Sequence, residues 1–377
     1  MNIAFVTPRY PDGTAGGGER SVQLLATHLA DADRVTNVTV FSFDGQGNST
    51  NGNVDIRRLG SVSSTVTEYQ NVRAGIKLRN RLALFDVVHG YNMELHPVIG
   101  YLSSKLRIPA VATLNSYHFF PAEVSNRTPR GMERVYEIIG YPITGRVLRR
   151  YIKKINVLIA LSDATERIYR ENGFQKARIE RVPNMADPRF SVPNSVPVEE
   201  ERYSLLYVGT LTQNKGVEYL VRAMELLPED IDLRVVGSGP QEVELRSLAS
   251  SLEVESQVEF MGRVPYEELG SYYAQADLFV HPGIWPEPFN RTTLEAMQAA
   301  LPIVCTDIGG PKEAIEEDRL ICEPRDPTAL AEAIKYARNT NEPLGKRNRQ
   351  YVKQNHTPEV VIPILIELYE DLISSHG

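Results

Sequence analysis

Short apolar segments alternate with amphipathic segments along most of the chain. In the first half the apolar segments are IAFVT (3–7), VTVFSF (38–43), DVVHGY (86–91), PAVATL (109–114) and VLIALS (157–162). In the second half they are YSLLYVG (203–209), LRVVGSG (233–239), VEFMGR (258–263), DLFVHPG (277–283), PIVCTD (302–307) and RLICEP (319–324). Nearly continuous apolar strands that alternate with helices are typical of parallel sheets covered by helices. The pattern predicts an α/β fold.

A proline-rich segment, ADPRFSVPNSVPVEEE (186–201), interrupts this alternation and has the character of an interdomain linker. A chain of 377 residues also exceeds the size at which one core usually stops growing. We therefore expect two Rossmann-like, doubly wound domains, 1–190 and 191–358. Because ligands of open α/β sheets bind at the carboxyl ends of the strands, we expect the domains to face each other across a cleft.

Composition and charge exclude several classes of protein. The formal net charge of −7 argues against general nucleic-acid binding. Cys305 and Cys322 have neither CxxC spacing nor a nearby His/Cys cluster, which predicts buried, reduced core thiols and no metal site. The apolar N-terminal run is too short for a signal peptide, and no run is long enough for a membrane span. These features predict a cytoplasmic protein.

Glycines follow the first predicted strand, where Gly16, Gly17 and Gly18 precede a helix. Glycines at a helix N-terminus allow backbone amides to approach an anion closely. The spacing matches neither the dinucleotide-binding fingerprint nor the P-loop. A plain flexible turn is the alternative.

Two further strand ends in the second half carry candidate anion ligands. Lys215 lies in the loop of YVGTLTQNKG, and Gly237 lies in VVGSGP. Phosphates bind at such strand ends in α/β domains. A solvent-facing lysine is the alternative.

The stretch WPEPFNRTTLEAM (285–297) places Glu287 and Glu295 on either side of a helix start. Free amides near Asn290 and Arg291 could hold a diphosphate there. Two other interpretations remain open. Thr292 and Glu295 fit a capping box, and Glu287 could be a solvated loop charge.

Five motifs together resemble one family: GGGER, VGTLTQNKG, GSGP, EPFNRTTLEAM and IGGPKEA. In this order and spacing they are similar to the GT-B glycosyltransferases of family GT4, over essentially the whole chain. The resemblance implies a retaining, metal-independent hexosyltransferase with a nucleotide-sugar donor and no cofactor. It also implies an acceptor-side N-terminal domain, a donor-binding C-terminal domain, and a terminal helix (359–377) that crosses back to the first domain.

The resemblance also assigns site residues. Glu287 would contact the transferred sugar, Glu295 would hold the ribose hydroxyls, and Lys215 would bind the diphosphate. The implied catalytic residues are Glu287, Lys215, Asn115 and His118. The implied donor-binding residues are Gly17, Gly18, Thr210, Lys215, Gly237, Phe289, Asn290, Arg291, Thr292 and Glu295.

Three positions depart from the family pattern. Thr210 stands where an arginine is common, so Lys215 would carry more of the charge compensation. Asn290 replaces a usual glycine, and asparagine tolerates the positive φ that a glycine turn would require. Asn115 stands where many members have a histidine; it can donate a hydrogen bond but cannot carry a proton. His118 is a candidate substitute, and a structural loop residue is the alternative interpretation of His118.

The acceptor is a carbohydrate or lipid-linked hydroxyl compound by the same resemblance. The segment 129–155 favours a membrane contact, since it is basic and has an apolar stripe. Its cations are Arg130, Arg134, Arg146, Arg149, Arg150, Lys153 and Lys154, and its stripe is Met132, Val135, Tyr136, Ile138 and Ile139. An ordinary helix whose core face is Val147, Leu148, Tyr151 and Ile152 is the alternative. For the whole protein, the alternatives are a silent sugar-nucleotide-binding subunit and a GT-B-like epimerase or phosphorylase.

Overall fold

The computed structural model describes residues 1–11, 16–62, 67–125, 131–193 and 202–376. The chain forms two compact units. The first comprises Met1–Met185 together with the C-terminal residues from Pro358, and the second comprises Ala186–Thr357. The division lies at the start of the predicted linker segment, of which residues 194–201 are outside the described part.

The first unit is built on an eight-stranded sheet in the order β3-β4-β2-β1-β5-β6-β7-β8. Its strands are β1 (Asn2–Val6), β2 (Asn37–Ser42), β3 (Gln46–Asn51), β4 (Val54–Leu59), β5 (Val87–Gly90), β6 (Ala110–Leu114), β7 (Val157–Ala160) and β8 (Ile179–Arg181). Its helices begin with α1 (Gly17–Ala30), α2 (Thr67–Leu78), α3 (His96–Leu106), α4 (Met132–Val135), α5 (Tyr141–Ile152) and α6 (Asp163–Tyr169). All five strands predicted for this half are present.

The second unit has a six-stranded, all-parallel sheet in the order β11-β10-β9-β12-β13-β14. Its strands are β9 (Tyr203–Val208), β10 (Ile231–Val236), β11 (Val258–Gly262), β12 (Leu278–His281), β13 (Ile303–Thr306) and β14 (Ile321–Cys322). Its helices are α7 (Val217–Met224), α8 (Glu242–Ser251), α9 (Tyr266–Ala274), α10 (Arg291–Gln298), α11 (Pro327–Asn339) and α12 (Leu344–Asn355). The last helix, α13 (Pro358–His376), packs in the core of the first unit.

The edge of the first sheet differs from the predicted all-parallel pattern, because β3 pairs antiparallel to β4. Its sequence QGNSTN is exposed or partly exposed throughout, so it has no apolar run to mark a strand. Gly52 has a φ of 58° in the connecting turn. A glycine tolerates this value without strain, so the chain can reverse direction there.

The basic segment 129–155 does not form one continuous α-helix in its described residues. Residues 126–130, including Arg130, are outside the described part, as are the side chains of Met132, Glu133 and Glu137. A π-helical turn, Tyr136–Gly140, joins α4 to α5. Pro142 near the start of α5 lacks the amide that an α-helix would use and crowds the preceding turn, which explains the wider turn.

Only part of the alternative core face of this segment is buried. Leu148 and Ile152 are buried, whereas Val147 is 51% exposed. The buried face of α5 also includes Tyr141 and Gly145.

The two cysteines are buried and unpaired, as predicted.

Candidate active site

The strand order of the second sheet identifies where a ligand would bind. β9 lies between β10 and β12, so the chain turns to opposite sides of the sheet after β9 and β12. Loops that diverge in this way leave a crevice at the carboxyl ends of the strands, where open α/β sheets bind ligands. The loops 209–216 and 282–290 occupy this place.

The two loops pack tightly against each other. Gly216 has a φ of 69°, and a Cβ atom there would lie 1.9 Å from the carbonyl oxygen of Pro282. Ile284 also donates its backbone N–H to the carbonyl of Asn214 at 3.0 Å. Only glycine fits at 216, and this close approach holds the neighbouring Lys215 beside the second loop.

Lys215 and Glu287 form an ion pair between these loops. The Nζ atom of Lys215 lies 2.6 Å from Oε1 of Glu287, and the two side chains are 17% and 13% exposed. The ammonium group also lies 5.8 Å from the centre of the Trp285 ring. The alternative interpretations as solvated surface charges are therefore wrong for both residues. Two largely buried charges at a strand edge are characteristic of functional sites.

The second carboxylate oxygen of Glu287 faces two nitrogens. Asn290 donates to Oε2 from Nδ2 at 3.2 Å, and Nε2 of His281 lies 3.6 Å from the same oxygen. Burial raises the pKa of Glu287, but the charge of Lys215, the neighbouring His281 and the hydrogen bonds from Lys215 and Asn290 together outweigh it, so the net pKa is lowered. Burial lowers the pKa of His281 to about 4. At neutral pH, Glu287 is ionised and His281 is neutral.

Asn290 caps α10, which corrects two predictions. Its Oδ1 accepts hydrogen bonds from the backbone N–H of Thr292 at 2.8 Å and from the Thr292 hydroxyl at 2.6 Å. The helix therefore begins before Thr292, and the predicted Thr292–Glu295 capping box does not form. The φ of Asn290 is −94°, so the position does not require the positive φ expected of a glycine replacement.

Glu295 is only 3% exposed and lies inside α10. Its Oε2 accepts a hydrogen bond from the Tyr273 hydroxyl at 3.0 Å, and Nε of Arg291 lies 3.9 Å from Oε1. Burial raises the pKa of Tyr273, and the negative charge of Glu295 raises it further. α10 thus carries a buried carboxylate one and a half turns from the Glu287 loop.

The remaining predicted donor residues in this unit surround the same edge. Gly237 has a φ of 138°, and a Cβ there would lie 1.8 Å from the Gly209 carbonyl oxygen, so only glycine fits. Thr210 is exposed just after β9. Phe289 is partly buried, and its ring lies 5.3 Å from that of His356.

In the first unit, β1 lies between β2 and β5, so the equivalent crevice follows β1 and β5. Gly17 and Gly18 form the first turn of α1. A Cβ on Gly18 would lie 3.6 Å from Nδ2 of Asn92 and 3.9 Å from Nδ2 of Asn115. Asn115 also accepts a hydrogen bond from the backbone of Met93 at 3.4 Å. The structure therefore brings Gly18 and Asn115 together.

His118 is exposed and lines a cavity of about 700 Å³ in the first unit. Its Nε2 lies 3.0 Å from Oγ1 of Thr67. The cavity also has charged and amide groups from Arg9, Asp44, Gln46, Gln70 and Glu94. Such a lining offers many hydrogen-bonding groups to a polar ligand.

Two family models match the chain. "Glycosyltransferase Family 4" matches residues 15–190, and "Glycosyl transferases group 1" matches residues 189–355. The chain belongs to glycosyltransferase family 4. It is also 26% identical over 346 residues to an uncharacterized glycosyltransferase, MJ1607, of Methanocaldococcus jannaschii, covering 88% of this chain and 87% of that protein.

Solved structures of similar fold cover nearly all of the family 4 chain. Sucrose-phosphate synthase from Thermosynechococcus elongatus has a TM-score of 0.79 at 22% identity, with 100% of both chains covered. Anabaena HepE in complex with UDP-glucose has a TM-score of 0.75 at 18% identity, covering 98% of this chain and 100% of that chain. The predicted GT-B fold is confirmed.

Sequence reasoning missed three residues that contact the candidate site residues Glu287 and Glu295. His281 ends β12, and its position beside Glu287 could have been suspected from the strand end in DLFVHPG. Tyr273 lies in an ordinary amphipathic helix, which carries no signal of its contact with Glu295. Gly309 packs on the Glu287 backbone, where a Cβ would lie 2.6 Å from both its nitrogen and its oxygen.

Neither a metal site nor a membrane span is evident in the part of the chain that the structure describes. No group of three or more His, Cys, Asp or Glu side chains there is arranged to hold a metal ion. None of the described helices is both long enough and apolar enough to cross a bilayer.

Proposed function

We propose that this glycosyltransferase moves a hexosyl group from a nucleotide diphosphate sugar to an acceptor hydroxyl, with retention of configuration and without a metal. The observation that carries the proposal is the buried Lys215–Glu287 pair at the crevice of the second sheet. The cation of such a pair suits the negatively charged diphosphate of a sugar nucleotide, and the carboxylate suits the hydroxyl groups of its sugar. The likeness in fold to HepE, whose structure contains UDP-glucose, supports a nucleotide-sugar donor.

In this proposal the leaving diphosphate takes the place of Glu287 as the partner of Lys215. Glu287 then accepts hydrogen bonds from the sugar hydroxyls. The N-terminus of α10 adds a positive partial charge near the developing negative charge. Glu295 would accept hydrogen bonds from the ribose hydroxyls. Its buried position in α10 holds the carboxylate rigidly for this contact.

The transfer itself needs no protein nucleophile. The bond from the anomeric carbon to the phosphate oxygen breaks, and the acceptor oxygen bonds to the same face of that carbon. The acceptor proton passes to the leaving phosphate. Catalysis then rests on positioning and on charge stabilisation, with Lys215 as the main cation because Thr210 supplies none.

The cavity of the first unit supports an acceptor with several hydroxyl groups. Its lining of amide, carboxylate and imidazole groups matches the hydrogen-bonding capacity of a carbohydrate. In this proposal His118 contacts the acceptor. Asn115 donates a hydrogen bond to a sugar hydroxyl and carries no proton.

A thermal-shift panel of nucleoside diphosphates and their sugars tests the donor, since a ligand that binds only the native state raises its melting temperature. The best donor is then incubated with chelator and a glycan or lipid-linked acceptor, and the anomeric configuration of the product is read by NMR. We expect a retained configuration at full activity. Inversion, or loss of activity on chelation, would contradict the proposal.

The α4–α5 segment supports an acceptor held at a membrane surface on the cytoplasmic side. Large apolar side chains on it are between 49% and 68% exposed: Val135, Ile138, Ile139, Ile143 and Val147. Exposed cations lie beside them: Arg134, Arg146, Arg150, Lys153 and Lys154. Exposed apolar groups next to cations suit an anionic lipid surface. This combination favours a lipid-linked acceptor.

Liposome co-sedimentation tests the membrane contact. Binding to anionic vesicles should weaken as salt is raised, and again in an Arg146→Glu/Arg150→Glu variant and in an Ile139→Ser/Ile143→Ser variant. Val243→Ser is the matched control, since Val243 is 77% exposed in the other unit. Absence of binding at low salt, or equal loss in the control, would favour a water-soluble acceptor.

A further inference from the structure

Asn290 is only 7% exposed, and each polar atom of its side chain has a hydrogen-bond partner. Its oxygen accepts from the backbone and the hydroxyl of Thr292. Its amide nitrogen lies 3.0 Å from Nδ1 of His281 and 3.2 Å from Oε2 of Glu287. An amide has two N–H donors, and both are therefore used.

The orientation of this amide is determined by Thr292. A backbone N–H can only donate, so the oxygen of Asn290 must face Thr292 and the nitrogen must face His281 and Glu287. Nδ1 of His281 then accepts a hydrogen bond and carries no proton. The proton of the neutral ring is on Nε2, the atom that faces Glu287.

We infer that Asn290 and His281 are positioning residues that orient the Glu287 carboxylate independently of Lys215. The chain of contacts runs from the α10 backbone through Asn290 to His281, and both residues direct an N–H towards Oε2 of Glu287. Lys215 contacts only Oε1. When the donor phosphates attract Lys215, these two N–H groups still hold the carboxylate in place.

Gly283 is consistent with this role for His281. A Cβ on Gly283 would lie 2.9 Å from Nε2 of His281, so a larger residue would displace the ring. The ring is also only 3% exposed, which fixes it further. The inference rests on the proposed sugar transfer, because the orientation of Glu287 matters only if its carboxylate binds the transferred sugar.

Asn290→Asp is the informative substitution. Aspartate caps a helix as well as asparagine does, so α10 is retained. The variant loses both N–H donors and adds a carboxylate about 3 Å from Glu287, and a nearby like charge raises the pKa of a carboxyl group. We expect kcat to fall at least about thirtyfold at neutral pH. The acid limb of the pH–kcat profile should also move to higher pH, while the KM for the donor changes by less than about threefold.

A comparison of the Asn290→Ala and Asp326→Ala variants separates the loss of a helix cap from the loss of Glu287 positioning. Asp326 caps α11 in the same unit by accepting from the backbone of Thr328 and Ala329. Both variants lose a cap, but only Asn290→Ala releases Glu287. We expect both to lower the melting temperature and only Asn290→Ala to lower kcat. Equal kcat losses, or an unmoved pH profile in Asn290→Asp, would overturn the inference.

A spectroscopic measurement tests the inference without turnover. The ¹⁵N NMR signals of His281 in the ligand-free protein should be those of a neutral ring protonated at Nε2. A ring protonated at Nδ1 would overturn the inference. A parent protein that shows this tautomer but turns over no nucleotide sugar would instead count against the proposed function.

Discussion

The carboxyl edges of the two sheets differ in how their polar groups are held. In the second unit, Lys215 and Glu287 are largely buried, and Lys215 contacts Oε1 of Glu287. Asn290 donates a hydrogen bond to Oε2 of Glu287, and Nε2 of His281 faces the same oxygen. In the first unit, His118 is exposed and lines an open cavity of about 700 Å³. At the second edge the charged groups are paired with one another before any ligand binds, whereas the first edge presents an exposed imidazole to an open cavity.

This difference suggests that the two edges meet different demands. Prearranged charges stabilise a developing charge without reorganising during the reaction. That suits a site for a diphosphate, whose chemistry is the same in every nucleotide sugar. An open polar cavity can bind a different acceptor with less rearrangement of the residues that line it. Substitutions in the second unit should therefore have the larger effects.

Lys215→Ala should have the largest effect. A charge-assisted contact contributes about 1.5–3 kcal/mol, so donor turnover should fall between about tenfold and a hundredfold. Steady-state kinetics at several donor concentrations measures this. Lys353→Ala, an exposed lysine on α12, is the control. If donor turnover by Lys215→Ala is within twofold of that of the control, Lys215 does not bind the donor.

The same substitution should also lower the melting temperature, because it leaves the buried Glu287 without its cation. Lys215→Ala/Glu287→Gln should then regain stability while remaining inactive. If the double variant is no more stable than Lys215→Ala, the pair does not carry the stability assigned to it.

Glu295→Gln should weaken donor binding by about tenfold, which corresponds to about 1.4 kcal/mol. The amide oxygen can still accept from Tyr273, but the charge beside Arg291 is lost, so a lower melting temperature is also expected. Calorimetry measures the affinity. Glu242→Gln, which weakens an exposed pair with Arg246, is the control. Unchanged affinity with lowered stability would make Glu295 purely structural.

Glu287→Gln tests the ionised state of the site through pH. The folded-state pKa of Glu287 is lowered, so its ionisation stabilises the fold above the unfolded pKa of about 4.3. That stabilisation is lost as pH falls through the folded pKa. The difference in melting temperature between parent and variant should therefore be largest near pH 7 and shrink below about pH 4. A pH-independent difference would contradict the assigned pKa shift.

His118→Ala should have the smallest effect, raising the KM for the acceptor by about threefold and leaving donor affinity unchanged. An exposed side chain in an open cavity contributes one replaceable hydrogen bond. A loss as large as that of Lys215→Ala would mean that the first unit is as closely organised as the second.

The apolar pattern predicted the six described strands of the second sheet and β1, β2, β5, β6 and β7 of the first, because buried parallel strands are marked by near-continuous apolar runs. It missed β4, in which apolar and polar residues alternate at the start, and β8, which has only three residues. β3 was missed because its six residues are polar. The Glu287 and Lys215 positions could be predicted from motifs, but their pairing could not, because it depends on the close approach at Gly216. The capping box failed for a similar reason: Asn290 and Thr292 are both good caps, and only the structure distinguishes them.

The binding of nucleoside diphosphates to the parent protein, Lys215→Ala and Lys353→Ala, compared by calorimetry, tests the central claim most directly. If the paired charges of the second unit form the donor site, the parent and Lys353→Ala should bind one nucleoside diphosphate equally well, and Lys215→Ala at least about tenfold more weakly. Equal affinity in all three proteins, or no binding to the parent, would contradict the account.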